Sequence, residues 1–167
     1  MTDVLGMTAR EMGRQLTLRY ANLNGIKSKT EEVKSWTEKG KADIAAFVET
    51  WADDSVTDSL IVDLVKFNVY RKDRVGCQKE CGGGGIAIVA KKDLHTLRTV
   101  EYEVDGLELM WVKIVGMKMV ALVGVLYAPG YDMEVFAELP YHIAELLKGL
   151  QSRSLEKIPP YLRRNLS

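Results

Sequence analysis

An α/β fold built on a mixed β-sheet, with helices flanking it, is what this chain predicts, and three observations predict it. Two apolar runs, Leu16 to Ala21 and Ile44 to Val48, flank a segment with helix signals, so strand, helix and strand follow in order. A later pair of apolar runs, Leu107 to Val115 and Met119 to Tyr127, meets across Gly116 in the pattern of an antiparallel hairpin. The first pair favours parallel strands joined by a right-handed crossover, so both strand senses are expected. At 167 residues with 47% hydrophobic content, the chain suffices for one domain with a sizeable core and is too short for two full ones.

Residues 1–15 are expected to form a loosely ordered extension, with the domain proper beginning near Leu16. The first strand ends in Asn22 and Asn24, and Gly25 marks the turn after it. The helix that follows is expected to open at the capping box Ser28-x-x-Glu31 and to close at Gly40. The second strand ends abruptly in Glu49, ahead of Thr50 and Trp51. A solvated strand end is the ordinary explanation of such a residue, because carboxylates are rarely buried without a partner. Two parallel strands, however, send their carboxyl ends to one rim, which gathers Asn22, Asn24 and Glu49. One carboxylate and two amides are hard oxygen ligands. A cation held by few protein groups, with water and substrate phosphate completing its shell, is magnesium rather than zinc.

After the polar stretch 52–59 come a short apolar piece, Leu60 to Val65, and a brief strand near Phe67 to Tyr70. A loop from Arg71 to Gly85 ends in four glycines, Gly82 to Gly85, before the strand Ile86 to Ala90. The run lacks the Lys and Ser or Thr of a phosphate-binding loop and precedes a strand, so it reads as a sharp bend or a close backbone approach. Arg71, Lys72, Arg74 and Lys79 against Asp73 and Glu80 leave the loop an excess of two positive charges. Such loops are usually just solvated. A nucleic-acid role requires the arginines to reach phosphate oxygens.

Leu97 to Val104 reads as a further strand. Met119 to Tyr127 is apolar at both parities apart from Gly124, which predicts a central strand covered on both faces. If it runs beside the first two strands in the same direction, the Tyr127 phenol joins Asn22 and Glu49 at the rim. Phe136, Leu139, Ile143, Leu146, Leu147 and Leu150 recur at helical spacing, with Pro140 obscuring where that helix starts. Residues 151–167 are expected to be an irregular basic tail.

Lys plus Arg equals Asp plus Glu at 23 each, so no global field draws the protein to nucleic acid or membrane, and any basic contact is local. The N-terminus carries Asp3 and Glu11 without a long apolar stretch, which argues against a secretory signal or membrane span and for an intracellular protein. Cys77 and Cys81 stand four apart, with His95 and His142 in unrelated segments, so reduced thiols are expected rather than zinc or a disulfide.

Four stretches together carry a family resemblance: Ala21-Asn22-Leu23-Asn24-Gly25-Ile26; Phe47-Val48-Glu49-Thr50-Trp51; Arg71-Lys72-Asp73-Arg74 with Gly82 to Gly85; and Tyr127-Ala128-Pro129. In order and spacing they resemble the endonuclease/exonuclease/phosphatase family, and within it the endonuclease domain of non-long-terminal-repeat retrotransposons, over residues 16 to about 150. The resemblance implies a DNase I-like sandwich of two β-sheets flanked by helices, with a divalent-metal site at one end. Magnesium is the implied ion, with manganese as its substitute. Glu49 would be the metal ligand, Asn22 would position metal and phosphate, and Tyr127 would lie beside the scissile phosphate. Asn24 sits where many relatives hold an acidic or amide residue. Arg71 and Arg74 would contact DNA, which points to the nucleus. The implied chemistry is in-line attack by water with charge stabilised on phosphate oxygens.

Family members also carry a Gly-Asp-x-Asn element on a later strand and an Asp-His pair near the C-terminus, and neither is present. The last aspartate is Asp132, and the only later histidine, His142, falls in the final helical pattern. The chain therefore resembles the N-terminal half of the domain, with the metal side retained and the base side lost. Losing the base should slow hydrolysis by about a hundredfold to ten-thousandfold. The second sheet is also expected to be missing, which leaves one sheet face to be covered by a second copy, a partner or the tail Gln151 to Ser167, or else a poorly folded state that aggregates. A reading of another class makes the chain a non-catalytic interaction or dimerisation module using that face. A third keeps the family and takes a phosphoinositide or other phosphate ester as substrate.

Overall fold

The computed structural model describes residues 16–74, 83–115, 120–128 and 133–156. Its first sheet has the order β1-β2-β4-β3, formed by β1 (Leu18–Asn22), β2 (Ile44–Val48), β3 (Phe67–Lys72) and β4 (Ile86–Lys91). The pair β1 and β2 is parallel, with Leu18 opposite Ile44 and Asn22 opposite Val48, and the helix α1 (Thr30–Lys39) lies between them in sequence. The strand β4 pairs antiparallel with both β2 and β3, so the sheet is mixed as the sequence predicts.

Alternation along these strands divides the core into two layers. Ala45 and Phe47 pack with Ala21, Val33, Ile61 and Val89, which includes residues of α1 and of the single helical turn α2 (Asp58–Ile61). Ile44, Ala46 and Val48 face the other way with Ile86, Ile88 and Ala90. Every residue of β2 is buried, and each large apolar side chain removed from water there contributes about 1.5–3 kcal/mol. The expected capping box does not form, since the helix starts one turn position later with Lys29 as its N-cap and no side-chain cap. Glu31 and Glu32 in the first turn and Lys39 in the last instead complement the helix dipole. Trp36 on α1 packs on Phe47 with ring centroids 5.5 Å apart, and the Arg19 guanidinium lies 3.9 Å over its ring.

A second sheet, the one expected to be missing, is present in three strands. Strands β5 (Thr96–Arg98), β6 (Glu108–Val115) and β7 (Val120–Tyr127) follow in that order, all antiparallel. Met110, Val112, Ile114 and Val125 close over Ile86, Ile88 and Val48. The face for which a second copy, a partner or the tail was expected is thus covered by the chain's own strands. This corrects two further expectations. Tyr127 belongs to the facing sheet rather than to a strand beside β1 and β2, and β7 lies at the end of its sheet with Val125 as its one buried residue. Double-sided apolarity misled because one face of β7 packs inward while Val120 and Leu122 on the other stay open or half-covered. The strand expected over Leu97 to Val104 is only β5, followed by a 3-10 turn at Val100–Tyr102.

The described residues fall into a first unit ending at Tyr127 and a second beginning at Ala128. The second holds α3 (Met133–Glu156), which has Pro140 inside it and runs on past Leu150 into the expected irregular tail. Gln151, Arg153, Leu155 and Glu156 are good helix formers even where apolar periodicity has lapsed. Residues 157–167 and the extension 1–15 lie outside the described residues, as do Cys77 and Cys81. Among the described residues no helix is long and apolar enough to cross a membrane.

Candidate active site

At the carboxyl ends of β1 and β2 the two chain segments leave the sheet laced together. Leu23 N–H donates to the Val48 carbonyl at 3.0 Å, Gly25 N–H to that of Glu49 at 2.9 Å, and Ile26 N–H to that of Thr50 at 2.8 Å. Asn22 caps its own turn, its Oδ1 accepting the Asn24 N–H at 3.0 Å. Asn24 has φ +47, the left-handed region that asparagine tolerates better than most residues.

Strict alternation would aim Glu49 with Ala45 and Phe47 toward the α1 layer. It does not point there. Glu49 leaves strand geometry at φ +51, and its Oε1 accepts the Tyr127 hydroxyl at 2.8 Å, a phenol whose ring packs in the layer between the sheets. Of the four described non-glycine residues with positive φ, Asn24, Glu49 and Trp51 sit on this rim, each held there at a cost of about 1–2 kcal/mol. The acid and the phenol therefore meet at the rim where the turn bearing Asn22 and Asn24 leaves β1, although Tyr127 arrives from the opposite sheet.

Two phenols near Glu49 are held above their ordinary range. Burial, the hydrogen bond to Glu49 and the Glu49 charge push the Tyr127 phenol up to about 12, with nearby Arg74 opposing. The Tyr20 phenol is raised too, by burial and then by the charge of Glu49. Both remain protonated at neutral pH, so Tyr127 is a hydroxyl donor and not a base.

The glycines approach this rim closely with their backbone, and Gly83, Gly84 and Gly85 all have positive φ, at +122, +95 and +80. Thr50 N–H donates to the Gly85 carbonyl at 3.1 Å and Trp51 N–H to that of Gly84 at 2.9 Å. A Cβ on Gly85 would lie 2.5 Å from the Thr50 hydroxyl, which is itself buried without a hydrogen-bond partner. Sequence reading missed Glu108. From the start of β6 it accepts the Gly85 N–H at 2.7 Å and pairs with Arg74, fastening the second sheet to the glycine loop. No spacing signal marks it, because it reads as one charge beside a surface turn.

The two arginines expected to meet DNA both have partners inside the fold. Arg74 pairs with Glu108, and its guanidinium lies against Gly84. Arg71 is mostly buried, donates to both Asp73 oxygens, to Asp58 at 3.1 Å and to the carbonyls of Val56 and Asp53, and so ties the 53–58 loop to β3. Residues 75–82 of the same loop lie outside the described residues. Among the described residues no three His, Cys, Asp or Glu side chains cluster as a metal cage.

Comparison with known proteins agrees with this fold. The sequence pattern of the Endonuclease/Exonuclease/phosphatase family matches residues 20–160. Among solved structures, the endonuclease domain of TRAS1, a telomere-specific non-LTR retrotransposon, superimposes with a TM-score of 0.53 at 17% identity, covering 80% of this chain and 52% of that one. The AP endonuclease LMAP from Leishmania major gives a TM-score of 0.51 at 17% identity, covering 75% of this chain and 43% of that one. The chain thus spans about half the length of these structures. No curated protein matches it. On a mixed sheet facing an antiparallel one, a family pattern spanning most of the sequence establishes that the chain belongs to the endonuclease/exonuclease/phosphatase family.

Proposed function

We propose that this chain carries the carboxylate side of a divalent-metal phosphodiesterase site of the DNA endonuclease type, akin to those of retroelements. Glu49 is its metal ligand, Asn22 and Asn24 line the place of metal and phosphate, and Tyr127 donates its hydroxyl there. Arg71 and Arg74 act on substrate through the loop they brace, and a DNA substrate puts the protein in the nucleus. The observation that carries this reading is the 2.8 Å bond from Tyr127 to Glu49, which joins the two sheets at the rim where α/β folds bind ligands.

The donors fit magnesium. Glu49 is only partly buried and keeps oxygen lone pairs beyond those used by the phenol, and the exposed amides of Asn22 and Asn24 sit on the turn whose backbone bonds to its own. One or two protein groups suffice for an ion that retains several waters and leans on substrate phosphate. When bound, such an ion neutralises charge that builds on the phosphate oxygens. The chain's own residues hold and orient. Tyr127, protonated up to about pH 12, offers a hydroxyl rather than a negative charge to an anionic substrate. No Asp-His pair is available in this sequence to take a proton from water, so hydrolysis by the chain alone is slower by about a hundredfold to ten-thousandfold than with such a base.

The test pairs a binding readout with an activity readout. Manganese should broaden NMR signals from residues around Glu49 in the parent chain and not in Glu49→Ala, while plasmid nicking in magnesium stays near background for both. Absence of that broadening would overturn the metal assignment. Brisk magnesium-dependent nicking, lost in Glu49→Ala, would overturn the expected dependence on a base from elsewhere.

A further inference from the structure

We infer that Trp51 is the stacking platform for an unpaired nucleobase next to the phosphate held at Glu49, an inference that rests on the phosphodiesterase reading above. Exposure alone argues little, since single exposed apolar side chains are common. Trp51 is 41% exposed, but the way it is held sets it apart. Its backbone lies at φ +48, a conformation bulky residues rarely adopt, and its N–H is fixed on the Gly84 carbonyl at 2.9 Å.

Two glycines border the indole. A Cβ on Gly25 would come within 2.9 Å of Cε3, on the benzo side of the ring, and one on Gly83 within 3.2 Å of Nε1, on the pyrrole side. These glycines come from the two loops that also frame Glu49, one after β1 and one before β4. The ring is thus steadied from both sides by bare backbone while much of its surface stays open. An aromatic surface already fixed loses little rotamer freedom when a partner stacks on it.

The reach fits a nucleic acid strand. Two residues span at most about 7 Å of chain, and stacked nucleotides rise about 3.4 Å each. A base one or two nucleotides from the phosphate at Glu49 is therefore within reach of Trp51. The exposed amides of Asn22 and Asn24, on the turn that ends at the Gly25 bordering the indole, suit base edges better than they suit an apolar ligand. Stacking of this kind is tolerant of sequence and adds about five- to a hundredfold in affinity per base.

The experiment uses the full chain and a short, end-labelled oligothymidylate, with an abasic strand of equal length as control, read by anisotropy at low salt with magnesium. Trp51→Ala should weaken oligothymidylate binding at least fivefold, Trp51→Phe by much less, and neither should alter binding of the abasic strand. In parallel, the parent labelled with 5-fluorotryptophan gives a signal for each of its three tryptophans, assigned for Trp51 by Trp51→Phe. That signal should shift with oligothymidylate and stay still with the abasic strand, a readout that survives if Trp51→Ala does not fold. Unchanged affinity in the variants, or equal shifts with both strands, would overturn the stacking role and leave the phosphodiesterase reading intact. Failure of the parent to bind either strand would overturn both.

Discussion

Coupling between Glu49 and Tyr127 is the most direct test of the site, and a double-mutant cycle measures it. A hydrogen bond to a charged group is worth about 1.5–3 kcal/mol when well shielded. Both partners here are only partly buried, so competition from water reduces this to about 1 kcal/mol. Glu49→Ala removes the acceptor but keeps a Cβ at φ +51, so the backbone strain appears on both sides of the cycle and cancels. Tyr127→Phe keeps the ring packed between the sheets and removes only the hydroxyl. In urea, with a slope of about 2 kcal/mol/M, the double mutant should unfold about 0.5 M later than additive singles would predict.

The alkaline limb gives a second reading of the same bond. The Tyr127 phenol is raised from the ordinary 10.0 to about 12, so its contribution to stability is complete below pH 10 and disappears as pH climbs toward 12. Tyrosinate absorbance should show a phenol titrating near 12 in the parent that moves back toward 10.0 in Glu49→Ala and is absent in Tyr127→Phe. Single-mutant effects that add within about 0.3 kcal/mol, with no late-titrating phenol, would refute the contact and the geometry built on it.

Gly85→Ala should be among the most damaging small changes, because its Cβ would meet the Thr50 hydroxyl at 2.5 Å with φ fixed at +80. Left-handed strain and overpacking together predict a loss of about 2–4 kcal/mol, read as a drop of roughly 5–15 °C in Tm. Beside the end of β3, the Glu103 carboxylate is nearly buried and accepts both Arg98 donors, at 2.7 and 2.8 Å, with Lys72 at 3.4 Å. Burial pushes it up, but Arg98 and Lys72 outweigh that and hold it below the usual 4.5. Its stabilisation is therefore present above pH 4.5 and lost as pH falls through the lowered value, and Glu103→Gln should flatten that acid limb in urea midpoints measured from pH 3 to 7.

How much of this was legible depends on the kind of signal. The crossover from β1 to β2, the hairpin of β6 and β7 and the resemblance around Asn22, Glu49 and Tyr127 are local patterns, and local patterns survive in sequence. The sheet to which β7 belongs does not, because an apolar strand at both parities fits a sheet centre or a sheet end equally well. Nor does the way Glu49 turns from the α1 layer to Tyr127, which rests on a left-handed backbone that no side chain announces. Glu108 and the enclosed guanidinium of Arg71 escaped for a related reason. Charges look solvated in a sequence until the fold supplies their partners.

Seventy-eight positions separate the phenol from the acid it bonds. A folding species that had built only the four-stranded layer would hold Glu49 with no acceptor role to fill, and the mouth of the protein would not yet exist. Docking of the second layer is thus the event that brings the phenol to the acid, and a cut between Val115 and Val120 would put that bond between two separate chains while leaving every atom of the acid in place.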